Sequence, residues 1–219
     1  MINQKNAFNK IFLTVIVIAG WVAILFQFYL IVLHRNLSIP GTIVQFFSYF
    51  TILTNIVVAV CCTLVLLKPT SRWGKFFSQP GVLTAVALYI SVVGLVYNLV
   101  LRFLWAPQGL QKIVDELLHS VIPILFLIYW LLFVQKAALQ WKNAFYWLLF
   151  PFIYSIYILC RGAFTGLYPY PFMDVVVLGY KQVLLNSGYL AGVFLLIAIL
   201  FIGIGKMFTR YRNKPERFQ

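Results

Sequence analysis

Long apolar runs separated by short polar or aromatic stretches dominate the chain. Six of them fall near 11–33, 43–67, 82–104, 113–134, 143–160 and 183–205. A helix needs about 20 residues to cross a hydrocarbon core of ~30 Å, and the fifth run is the shortest of the six. Strict alternation of apolar and polar positions is absent, which argues against a membrane β-barrel. The pattern predicts an all-α fold: a polytopic bundle of six transmembrane helices forming a single membrane domain over 1–219. The first run is too long for a signal-peptide core and lacks a small-residue cleavage site, so it is expected to stay uncleaved.

Composition strengthens this picture. The chain is 63% hydrophobic and only 10% charged, where a soluble domain would carry ~25% charged residues. Charge then gives orientation. Twelve of the seventeen Lys and Arg residues fall on one side, among them Lys68, Lys136, Lys206, Lys214 and Arg217; Arg35, Arg102, Lys112, Arg161 and Lys181 fall on the other. The positive-inside rule predicts that both termini are cytoplasmic. A net charge of +13 in a soluble protein would point to nucleic acid. Here it faces anionic headgroups, so membrane lipids are the expected partners and nucleic acid is not. Cys61, Cys62 and Cys160 show no metal or CxxC spacing, so they read as packing residues, and no metal or cofactor is expected.

Polar residues inside the runs carry the functional signal, because lipid-facing positions have no use for them. Ser48, Thr51 and Asn55 are spaced i, i+3, i+7 and are expected on one helix face. At ~1.5 Å per residue, Thr51 lies roughly 12 Å from the outer surface and His119 roughly 9 Å. Asn98 sits at a similar depth, with Arg102 above it, and Asn186 and Ser187 lie one turn into the sixth run. The inner half is almost entirely apolar. A transporter should instead carry polar groups at the midplane and along a path to both faces.

The stretch "DELLHSVIP" gathers Asp115, Glu116 and His119 just ahead of Pro123. A carboxylate one turn before an imidazole can fix its tautomer and leave the second ring nitrogen as a base. Asp115 is the expected partner and Glu116 the alternative; either could instead pair with Lys112 or Arg102 as an interfacial anchor. Pro123 has no N–H, so the His119 carbonyl loses its helical partner and is expected to face a cavity. The ordinary reading of His119 is a cross-link between helices. The ordinary reading of Thr51 is a hydroxyl bonded back to the Phe47 carbonyl. A threonine hydroxyl opposite an oriented histidine would suit nucleophilic ester cleavage. Asn55 and Asn98, with Ser48 beside them, are candidates for the oxyanion and substrate contacts. Arg102 is the candidate clamp for a substrate carboxylate. The aromatic loop containing Tyr170, Pro171, Phe172 and Asp174 is expected to fold back over the outer mouth.

The segments "YFTILTN", "LLHSVIP" and "TGLYPYPFMD" together resemble the androgen-induced protein family, which includes the androgen-dependent TFPI-regulating protein and bacterial six-span relatives. The resemblance runs over nearly the whole chain in the order and number of spans. It implies a threonine hydrolase that cleaves fatty acid esters of hydroxy fatty acids, with Thr51 as nucleophile and His119 as its essential partner, in a bacterial cell membrane. Two departures stand out: Thr54, followed by Asn55, occupies a position where animal members carry Asp or Asn, and the spacing from histidine to proline is one residue shorter. The alternative function is a non-enzymatic membrane protein that binds or transports lipids or small molecules.

Overall fold

The computed structural model describes residues 2–104 and 106–212. Lys214 and Arg217, counted above in the basic tail, lie outside the described residues. Ten α-helices follow one another among the described residues: α1 Ile2–Leu33, α2 Ile39–Phe46, α3 Phe50–Leu67, α4 Arg72–Phe77, α5 Pro80–Leu99, α6 Gly109–Glu116, α7 Ile122–Phe133, α8 Asn143–Trp147, α9 Leu149–Thr165 and α10 Val175–Arg212. Six helical segments are long and apolar enough to cross a membrane: Asn6–Leu33, Phe50–Leu67, Pro80–Phe103, Gly109–Phe133, Asn143–Thr165 and Val175–Arg210. No strand occurs among the described residues. This is the architecture of an integral membrane protein.

The helix at the centre is α5. Its apolar window is 72% buried inside the protein, against 22% for α9, so α5 forms the axis and α9 the rim. Around it, α3, α7 and α10 pack directly on α5, while α1 closes the bundle against α3 and α7. The helix-forming logic is ordinary: Ser38 and Ser71 cap α2 and α4 by accepting from Gly41 and Gly74 N–H, and Pro80 opens α5 at a position that needs no N–H.

Four spans depart, in path or in length, from the rods that their apolar pattern predicts. The second is two helices, because the chain turns at 47–49 before α3 starts at Phe50. Ser48 therefore lies outside α3, and the expected common face of Ser48, Thr51 and Asn55 does not form. The fourth carries a wide π-turn, Leu117–Val121, between α6 and α7. The fifth runs on to Thr165 and stops at Gly166, whose φ of 68° supplies the left-handed terminus. Residues 161–165 of the expected loop are thus helical. The last helix is broken at Gly179 (φ 73°, ψ 158°).

Candidate active site

Thr51 owes its freedom to the break before α3. Ser48, Thr63, Thr84, Ser91, Ser155 and Ser187 all donate their hydroxyls to the carbonyl four residues back. Thr51 cannot do this in the same way. It is the second residue of α3, and Phe47, four back, belongs to the turn. Among the described residues its hydroxyl makes no bond to Phe47. The first N–H groups of a helix have no intrahelical acceptor. Here the Thr51 N–H donates to the Tyr170 hydroxyl at 3.4 Å. Tyr170 thus reaches from the loop to the start of α3 and lies against the Thr51 side chain as well.

His119 sits in the π-turn. Its Nδ1 is 2.9 Å from the Asp115 backbone carbonyl. A carbonyl oxygen only accepts, so Nδ1 carries the proton and Nε2 holds the lone pair of the neutral ring. The group of Asp115 that meets Nδ1 is its main-chain carbonyl, where the sequence led us to expect the carboxylate. That carboxylate receives the Gln111 amide at 3.1 Å and lies beside the Tyr97 hydroxyl. Tyr97, missed in the sequence, stacks its ring on His119 with centroids 4.1 Å apart and planes 15° apart. Asp115 therefore acts on the histidine through Tyr97 and through its own carbonyl.

The π-turn and Pro123 disturb the helical bonding of two carbonyls. The Ile122 N–H bonds to Leu117 O, five residues back, and in that register Leu118 O would need the N–H that Pro123 lacks. His119 O would need the same N–H in ordinary α register. Two asparagines replace it. Asn55 Nδ2 donates to Leu118 O (3.2 Å) and to Thr51 O (2.9 Å). Asn98 Nδ2 donates to His119 O (3.3 Å) and to Gly94 O (2.8 Å). The His119 carbonyl is therefore satisfied inside the bundle, and both amide groups are engaged in holding the turn. Neither asparagine is an available oxyanion donor. Gly94 makes the close approach feasible: a Cβ there would lie 3.2 Å from both His119 O and Pro123 Cβ.

Other expected residues are placed as follows. Ser48 Oγ donates to Val44 O (2.6 Å) and contacts the Tyr157 hydroxyl (3.1 Å), while Ser48 O accepts from Tyr154 (2.8 Å). It secures the α2–α3 turn and does not line the site. Arg102 Nη2 meets both Glu116 oxygens at 2.6 Å and Ser120 Oγ at 3.3 Å, and its guanidinium lies 5.3 Å from the Tyr97 ring centre. The candidate carboxylate clamp is thus already occupied by Glu116. Asp174 caps the start of α10, accepting from the Val176 and Val177 N–H groups. Pro171 opens a short 3-10 turn, Pro171–Met173, that sets the loop's path. Among the described residues no group of three or more His, Cys, Asp or Glu gathers to hold a metal.

Thr51 and His119 both line one cavity. Tyr170 and Phe172 from the loop also line it, their rings stacked at 5.2 Å and 7°. Asn186 on α10 holds this loop by donating to Phe172 O at 2.9 Å. The remaining wall is mostly apolar, from Val92, Val96, Pro151 and Phe194 among others. Its other hydroxyls serve the fold: Tyr154 bonds to Ser48 O and Ser155 to Pro151 O. The polar groups facing the apolar chamber are the Thr51 hydroxyl, the His119 ring and the Tyr170 phenol, with Thr51 and Tyr170 in contact with each other. Comparison with protein-family models, curated proteins and solved structures returns no match.

Proposed function

We propose that the protein is an intramembrane lipid-ester hydrolase with Thr51 as nucleophile and His119 as general base. The observation that carries this reading is the shared cavity of Thr51 and His119, with Nδ1 tied to the Asp115 carbonyl so that Nε2 is the basic nitrogen. Thr51 Oγ1 attacks the ester carbonyl carbon and its proton passes to His119 Nε2. The tetrahedral oxyanion collapses, the C–O bond to the alcohol breaks, and the leaving oxygen takes the proton from Nε2. Water then attacks the acyl-threonine. His119 accepts the water's proton and returns it to Thr51 Oγ1 as the carboxylic acid leaves. The oxyanion donor in this scheme is the Tyr170 hydroxyl, which already stands beside Thr51.

The substrates are fatty acid esters of hydroxy fatty acids, as in the androgen-induced protein family that the chain resembles. The host membrane is a bacterial cell membrane with both termini cytoplasmic. The decisive experiment is hydrolysis of such an ester by detergent-purified protein, with Thr51→Ala and His119→Ala beside the parent and thermal stability measured on each. Both folded variants should lose about a thousandfold or more in kcat. An inert parent, or full activity in the threonine variant, would remove the hydrolase reading and leave a lipid-binding or transport cavity.

A further inference from the structure

We infer that the cleft between α9 and α10 is the acyl-chain subsite of this cavity and its side opening into the bilayer; the inference rests on the hydrolase reading for the substrate's identity. The cleft is lined by Phe152 and Ile156 of α9 and by Leu184 and Ala191 of α10. Pro151, Ser155, Leu190 and Phe194 line both the cleft and the chamber that holds Thr51 and His119. These four side chains form the common wall of the two spaces.

The chemistry of the wall selects the occupant. Its two hydroxyls, Ser155 and Ser187, are already bonded to Pro151 O and Val183 O. A water-filled cleft needs polar partners for the water, and this wall offers almost none. From Leu149 to Leu159 the α9 edge runs roughly 15 Å, and the α10 edge from Leu184 to Phe194 runs the same. That is about half of a ~30 Å hydrocarbon core, the depth of one leaflet. Phe152 and Leu184 face outward from the protein, so a chain in the cleft is in contact with surrounding lipid. The ester carbonyl is held at Thr51 while the acyl tail lies between α9 and α10.

Two measurements test this. The first compares kcat/KM for palmitoyl and acetyl esters of one alcohol in the parent and in Ala191→Trp and Leu184→Trp, which fill the cleft; Leu200→Trp, an exposed α10 position away from it, is the control. The palmitoyl-to-acetyl ratio should fall by more than about tenfold in either cleft variant, the cost of leaving roughly two methylenes unburied, and stay unchanged in the control. The second maps crosslinks of a diazirine-bearing palmitate on the Thr51→Ala protein, so that it needs no turnover. Label should fall on α9 and α10 and disappear in the folded tryptophan variants. An unshifted ratio in a parent that does cleave esters, or label that avoids α9 and α10, overturns the inference. A parent that cleaves neither ester yet is labelled in the cleft leaves the chain site standing and overturns the hydrolase reading instead.

Discussion

At the scale of single residues, the site is a set of groups whose partners define what remains available. Burial pushes the Tyr170 phenol up from its ordinary value, so its proton stays in place at neutral pH. The donor role proposed for it is complete below the usual phenol range of ~10 and fades only as pH rises past the raised value. Tyr170→Phe should therefore lower kcat by about a hundredfold with little change in KM. The parent should show no alkaline loss from this group near pH 8, and an acid limb should mark protonation of His119. A Tyr170→Phe variant with parental kcat would take the phenol out of the proposed oxyanion role. Arg102 makes a second test. Because Glu116 already occupies it, Arg102→Gln should reduce hydrolysis of carboxylate-bearing and neutral esters equally, through Tyr97 and Glu116. A rise in KM confined to carboxylate-bearing lipids would restore the clamp role.

At the scale of elements, the π-turn between α6 and α7 decides where the imidazole points. A π-turn widens the helix and changes the side-chain register on either side of it. The Leu118 and His119 carbonyls of the turn are met by Asn55 and Asn98 from two different helices, so α3, α5 and the turn are tied together at His119. Removing one of these amides leaves a buried carbonyl without a donor, at about 1–3 kcal/mol. Asn98→Leu should lower thermal stability by that amount and reduce activity with it, as read by denaturation and ester hydrolysis on the same sample. Pro123→Ala restores the missing N–H. It should preserve or raise the melting temperature while lowering kcat, because the turn can then relax toward regular α register and swing His119. A Pro123→Ala variant that keeps full kcat would show that the turn does not position His119 for the proposed role.

At the scale of the whole molecule, the bundle has two chemically different ends. Lys206 lies over the Trp141 ring at 5.6 Å. Lys136 is buried at the end of α7, donating to Trp130 O, Leu131 O and Val134 O at 2.8–2.9 Å, where a cation also suits the helix dipole. Arg102, Glu116, Tyr170 and the candidate site occupy the opposite end. Under the positive-inside rule the basic end is expected in the cytoplasm. A membrane-impermeant maleimide should label Leu167→Cys in intact spheroplasts and Lys142→Cys only after permeabilisation, in a background with Cys160 removed. The reverse pattern would invert the topology and put the cavity at the inner surface.

The six helical spans were legible in the apolar runs because membrane-spanning length and the absence of water impose a strong one-dimensional pattern. Thr51 and His119 were legible as candidates because a polar group in such a run is costly and therefore conspicuous. The bond from His119 to the Asp115 carbonyl was not, since backbone acceptors leave no trace in residue identity. The break at 47–49 was hidden by its own composition: Phe47, Ser48 and Tyr49 carry no Pro or Gly. Asn55 and Asn98 read as donors to a ligand, and only tertiary packing decided that their amides go to Leu118 and His119. Tyr97 looked like one more aromatic, and its stacking on the imidazole depends on how closely α5 approaches the turn at Gly94. Sequence by itself determined which groups are polar within an apolar solvent; the packing of helices determined which of those groups satisfy one another and which are left to act.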